Sequence, residues 1–215
     1  MPRESAKGLN RKVQREEARA AVLATSEYLF GRRGFEGVAL DDIAELSGVR
    51  KQNLLYHFQS KEMLWKETVD TLFAGVNAYF WKHRVPDPIS WEGLQSFMRT
   101  YANICRERPA YVLIPMIEGV GSSWRTTWIA ERHFSHHVAD FEKYARNLIE
   151  AGIVANVEPV FLQNMLTGGV QISLATEPLW SEAIGIQSRA PEFIDQYLDA
   201  VLGLVRPRQE KQTPA

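Results

Sequence analysis

The stretch from Leu40 to Trp65, LDDIAELSGVRKQNLLYHFQSKEMLW, constrains this chain more than any other. Its first half has helical spacing, with Ile43, Leu46 and then Val49 directed to one side. Gly48 follows the last turn, where a left-handed residue ends a helix at little cost. The pattern restarts at Arg50, and Leu54 and Phe58, four residues apart, face inward. Arg50, Lys51, Gln52, Asn53 and His57 are thereby turned outward. Two short helices joined by a glycine-containing turn, the second rich in long hydrogen-bond donors, have the layout of a helix-turn-helix. Ser60 offers an N-cap to a third helix, with Glu62 in its first turn.

Gly-Val-x-Lys-x-x-Leu-x-Tyr-x-Phe-x-Ser-Lys-Glu, from Gly48 to Glu62, resembles the signature of the TetR family of transcriptional regulators. The agreement begins upstream, with Phe30, Gly34-Phe35 and Asp42-Ile43-Ala44, and spans about residues 18–66. Within it, Asn53-Leu54-Leu55-Tyr56 is similar to the pyrimidine-utilisation regulators of that family. Three positions depart from the pattern. Arg50 stands where members usually carry a Ser cap, Gln59 where Pro is common, and Val38-Ala39 where Thr or Ser precedes the second helix.

The resemblance implies an all-α chain acting as a homodimer on a palindromic operator in double-stranded DNA, most often a repressor released by a small ligand. Residues 10–59 would be the helix-turn-helix domain and residues 60–205 a larger helical domain for effector binding and dimerisation, with 60–84 as the connecting helix. Lys51, Gln52 and Asn53 occupy the first turn of the second helix, the part that enters the major groove. Gln and Asn pair bidentately with adenine, and Arg50 reaches guanine or a phosphate. Tyr56, His57 and Lys61 are placed for phosphates as in the family, and Arg11, in the arm from Asn10 to Arg15, for the backbone or a minor groove.

Charge supports a local nucleic-acid contact. The chain has a net charge of only −1, yet residues 1–15 carry Arg3, Lys7, Arg11, Lys12 and Arg15 against Glu4 alone. The single cysteine, Cys105, forms no intramolecular disulfide and fits a reducing, cytoplasmic setting. No apolar run approaches the roughly 18 residues of a membrane span.

The remaining pattern is helical throughout. A first helix is expected over about 10–33, the connecting helix over 60–81, and a break at Val85-Pro86-Asp87-Pro88. Further helices are expected over 90–108, 111–120, 123–151, 159–176 and 191–205, with a looser segment at 179–189 and mobile tails at 1–9 and 206–215.

No catalytic constellation is evident, and neither turnover nor a cofactor is expected. Gly119-Val120-Gly121 lacks a preceding strand and a third glycine, so it reads as a helix–helix turn. His133 and His137 share a helix face without the Glu of an HExxH site, which argues against a metal. The aromatic residues Phe97, Tyr101, Trp124, Trp128, Phe134 and Phe141 either fill a core or wall an apolar effector cavity, with Glu118, His137, Asn164 and Gln171 as its polar groups. By the resemblance, the last two helices would form the dimer face through Leu162, Leu166, Gly169, Ile172, Phe193, Tyr197 and Val201. Two rival readings stay open: an all-helical enzyme acting on an aromatic or lipid-like substrate, and a constitutive DNA-binding protein with a solid core.

Overall fold

The computed structural model describes the backbone of residues 3–207 and the side chains of residues 12–207. The side chain of Arg11 lies outside the described residues, as does the expected tail from residue 208 onward. The described residues are helical, without a strand.

Three helices make the N-terminal unit: α1 (Arg3–Arg33), α2 (Leu40–Ser47) and α3 (Lys51–Phe58). α1 buries Val22, Ser26, Leu29 and Phe30 as one stripe. It ends because Gly34 adopts φ +66° and returns its N–H to the carbonyl of Phe30 at 3.0 Å. A side chain at Gly34 would also meet the Ile117 methyl at 2.9 Å. Gly48, at φ +70°, ends α2 in the same way. α1 starts at Arg3 rather than near Asn10, since the preceding Glu, Ala and Lys are good helix formers that need no apolar partner. Leu46 faces outward rather than into the core. Within the α1 stripe the Ser26 Oγ is buried without a hydrogen-bond partner.

α4 (Lys61–Lys82) is the central element. Ser60 Oγ caps it by accepting from the Met63 N–H at 3.1 Å. Its buried side holds Leu64, Trp65, Val69, Leu72, Phe73 and Val76, packed against α1, α5 and α6. Each such fully buried side chain contributes about 1.5–3 kcal/mol, and α4, together with α6, ties α1 to the rest of the chain. α5 (Trp91–Glu107) follows the proline break, capped by Ser90. α6 (Ala110–Gly119) crosses α1.

The helix expected over 123–151 is α7 (Trp124–Ile129) and α8 (Ser135–Glu150), joined by a π turn at Ala130–Phe134. A second π turn, Asn164–Gly168, joins α9 (Pro159–Gln163) to α10 (Gly169–Ala175). The segment read as loose contains α11 (Glu177–Ile184), closed by Gly185 at φ +72°. α12 (Pro191–Val205) opens on Pro191, where a missing N–H costs nothing. One apolar cluster runs from Val22 to Val205 through both halves.

Candidate nucleic-acid interface and effector chamber

α3 projects its first turn outward because Leu54 and Phe58 anchor the opposite side. Arg50, Lys51, Gln52 and Asn53 are all exposed there. Lys51 Nζ sits 2.8 Å from Asp41 Oδ2 in an exposed pair, a contact worth about 1 kcal/mol or less and easily exchanged for a phosphate. Tyr56 is 72% exposed, and the Arg15 guanidinium covers its ring at 5.3 Å. Arg19 lies over Phe58 in the same way and pairs with Glu67. His57 is held below its usual pKa by desolvation and then by the charges of Arg15 and Arg19. Arg15 and Arg19 therefore join the expected face; the basic arm held the signal for Arg15, and nothing in the spacing singled out Arg19. Lys61 is half-buried with its ammonium 4.3 Å above the Phe35 ring, so it braces the N-terminal unit as well.

Between the C-terminal end of α4 and helices α5, α6, α8 and α9 lies a cavity of about 560 Å³. Four of the sequence candidates line it: Phe97, Tyr101, His137 and Phe141. Gln171 stands behind them and donates its Nε2–H to Tyr101 Oη at 2.6 Å. Phe80 stacks on Phe97 at 5.6 Å, and Tyr144 closes on Phe97 at 5.4 Å while donating its hydroxyl to the Pro88 carbonyl at 3.0 Å. The rim is formed by Trp81, His83 and Arg84, the guanidinium of Arg84 lying 3.7 Å over Trp81. Sequence periodicity carried a hint of Phe80; it carried none of Asn77, Tyr111 or the rim.

His137 Nε2 is 3.1 Å from Asn77 Oδ1, and burial lowers its pKa against the pull of Asp140. His133 stacks on Phe73 at 4.3 Å; its Nε2 lies 3.0 Å from Asp70 Oδ1, too poorly aligned for a hydrogen bond. Burial also pushes the Cys105 thiol up to about 12, which leaves it an inert packed group.

Glu118, Trp124, Trp128 and Asn164 do not reach the chamber. Asn164 is exposed and donates to its own helix at Val160, 2.9 Å away. Trp124 and Trp128 instead pack on Trp65, at 5.4 and 5.5 Å. Trp128 continues into the stripe after the π turn, its ring 5.3 Å from His133, which stacks on Phe73; the tryptophans miss the chamber because they meet α4 at Trp65, about 18 Å along the helix from Asn77. Phe134 lies on the surface. Glu118 is buried in a junction between the halves: Oε1 accepts the Phe35 N–H at 3.2 Å, and Oε2 accepts from Arg125 Nε at 2.7 Å. Arg125 reaches on to Glu36 at 3.0 Å and lies over Phe35 at 4.6 Å.

Residues 22–68 match the model of the bacterial regulatory proteins of the tetR family. This is a TetR-family helix-turn-helix. Beyond the TetR unit, the chain is 24% identical to the HTH-type transcriptional regulator RutR of Escherichia coli O157:H7 over 196 residues, 87% of this chain and 90% of that one. It is 30% identical over 80 residues to the biofilm operon icaADBC HTH-type negative transcriptional regulator IcaR of Staphylococcus aureus strain Newman, covering 37% of this chain and 43% of IcaR. The solved ketosteroid transcriptional regulator KstR2 of Mycobacterium tuberculosis superposes with a TM-score of 0.69 at 20% identity, over 88% of this chain and 95% of its own. A Clostridium perfringens regulator described as a fatty acid metabolism regulator gives 0.71 at 18%, over 87% and 100%. At such identities the structural likeness speaks for the fold, which in TetR-family members places a helical domain behind the helix-turn-helix.

In the helical part that follows residue 68 the expected dimer residues divide. Leu162 and Leu166 are 0% exposed inside the protomer, so neither can meet a partner. Gly169 is packed under Tyr197 of the same chain. Ile172 is exposed, and Phe193, Tyr197 and Val201 are partly so. The split follows helical period: Leu162, Leu166, Val170 and Leu174 form the buried stripe, and Phe161 and Met165, one position back in register, stand outside at 62% and 42% exposure. Leu204 stands exposed on the adjacent α12. No described helix is long and apolar enough to cross a membrane.

Proposed function

We propose that the protein is a transcriptional repressor that binds a palindromic operator as a homodimer and is released by a small apolar or aromatic ligand held in the chamber. The observation that carries this reading is the first turn of α3: Gln52 and Asn53, exposed on a TetR-family helix-turn-helix and flanked by Arg50, Tyr56 and Arg15. In this reading residues 10–59 form the reading head and residues 60–205 the effector and dimerisation domain. The outer side of α9, α10 and α12, with Phe161, Met165, Ile172 and Leu204, is the surface for the second copy. Release follows from linkage. Two α3 helices must match two half-sites, and a ligand that prefers another spacing lowers DNA affinity by its differential affinity for the two states.

Selection from a randomised DNA pool at fixed salt tests the reading. The expected outcome is a palindrome, bound about 5- to 150-fold more weakly by Asn53→Ala, the equivalent of a lost bidentate base contact of about 1–3 kcal/mol. Binding that is salt-sensitive but indifferent to sequence would defeat it. The similar proteins carry the names of transcriptional regulators, and the reading assigns the chamber recognition and no turnover.

A further inference from the structure

Four buried side-chain atoms of the described residues are sealed in without a hydrogen-bond partner: Ser26 Oγ, Trp65 Nε1, Trp91 Nε1 and His133 Nε2. Tyr111 Oη is not one of them. Tyr111 lines the chamber from α6, and none of the side-chain hydrogen bonds among the described residues involves its hydroxyl. Its neighbours are accounted for. Tyr101 Oη takes the Gln171 amide, and Tyr144 Oη gives its proton to Pro88. The Tyr111 phenol stays protonated, since burial raises its pKa. A ligand that displaces water from the chamber without offering an acceptor there leaves this donor unpaired at a cost, so a well-fitted ligand brings one.

Charge narrows the choice. The charged residues lining the chamber are Arg84 and Asp140, and both are exposed. A carboxylate at the Tyr111 end would be desolvated with no cation beside it. The rings of Phe80, Phe97, Phe141 and Tyr144 offer flat apolar walls around the remaining volume.

We infer that the ligand is an uncharged, ring-containing molecule whose buried end carries a carbonyl oxygen accepting from Tyr111 Oη, and that Tyr111 sets this specificity. The inference rests on reading the chamber as the effector site. Benzophenone and diphenylmethane separate the two, because they share both rings and differ in the carbonyl. Each is titrated against the full chain and its Tyr111→Phe variant by displacement of N-phenylnaphthylamine. Tyr111→Phe should weaken benzophenone about three- to tenfold, the effect of one neutral hydrogen bond, and leave diphenylmethane unchanged. Comparing each compound across the two proteins cancels its own tendency to leave water. Equal effects on both compounds, or on neither, overturn the role of Tyr111 while the chamber reading stands. Failure of both compounds to displace the dye from the wild type overturns the chamber reading and the inference with it.

Discussion

Replacing Glu118 by alanine probes the junction between the reading head and the helical domain. The carboxylate is 7% exposed and satisfies two groups from different parts of the chain, the Phe35 N–H and Arg125. The Arg125 side chain is itself 11% exposed. Without Glu118, the guanidinium keeps the exposed Glu36 as its one carboxylate partner beside the Phe35 and Trp124 rings, and the Phe35 N–H loses its acceptor. Breaking a buried pair by removing one partner costs about 3–5 kcal/mol, and the surviving Glu36 contact places this case near about 3. At roughly 2–4 °C per kcal/mol for a chain of this size, the melting temperature should fall by about 6–12 °C. Thermal unfolding followed by circular dichroism reads this directly. Arg125→Met in the Glu118→Ala background removes the stranded charge and should recover part of the loss, a coupling that a double-mutant cycle isolates. A fall of less than about 2 °C, or a double variant no better than Glu118→Ala alone, would refute the assignment of the junction to this buried pair.

The remaining predictions concern strain, protonation and assembly. Gln59 joins α3 to α4 at φ 63° and ψ −47°, a region that side chains rarely adopt, so Gln59→Gly should raise the urea midpoint by the equivalent of about 0.5–1 kcal/mol; an unchanged midpoint would remove the strain. His133 and His137 are both held below their ordinary 6.5 by burial, so the unfolded chain takes up protons that the folded one refuses. Their contribution to stability is present in full above pH 6.5 and is lost as pH falls from there toward the folded pKa values, opposed by Asp70 and Asp140 and reinforced by Arg132 and His136. His137→Gln should flatten the acid side of a stability–pH profile, and a profile identical to the wild type would contradict this. Phe161→Glu should shift the protein from dimer to monomer in sedimentation while leaving its helicity intact; a stable dimer would move the interface elsewhere.

What the sequence disclosed follows from the range of the forces involved. Helix ends at Gly34, Gly48 and Pro191 are local decisions of single residues, and they stand where the residues indicated. The first turn of α3 was legible for the same reason, since two inward residues determine which four face out. The chamber was half legible. Phe97, Tyr101, His137 and Phe141 lie on regular stretches of α5 and α8, whereas Trp124 and Trp128 precede a π turn that no residue in the sequence announces. Trp124 and Trp128 meet α4 at its Trp65 end, a displacement along the axis that periodicity does not reveal, and Leu162 and Leu166 sit one position in register from the exposed Phe161 and Met165, a choice of face that only the packing decides. The Glu118 junction was out of reach of any local pattern, because its acceptor and donor lie 83 residues apart in the chain.

Under the proposed function, that junction also bears on how a ligand in the chamber would be felt at the outer face of α3. α4 is one route: Trp65 packs at the junction and Trp81 at the chamber rim, about 24 Å apart along the helix. α6 is shorter. Tyr111 faces the chamber and Glu118 holds the Phe35 N–H, two turns or about 10 Å away on the same helix. Between them stands Pro115, which has no N–H to give to the Tyr111 carbonyl, so the link is weakest where it meets the ligand. In the reading proposed above, a ligand bound to Tyr111 acts on the end of a softened helix whose other end grips the turn before α2. Its leverage is limited to the difference between its affinities for the two arrangements of α6 against α1, and each tenfold change in operator affinity needs about 1.4 kcal/mol of that difference. One hydrogen bond to Tyr111, made in one arrangement and strained in the other, is of that size.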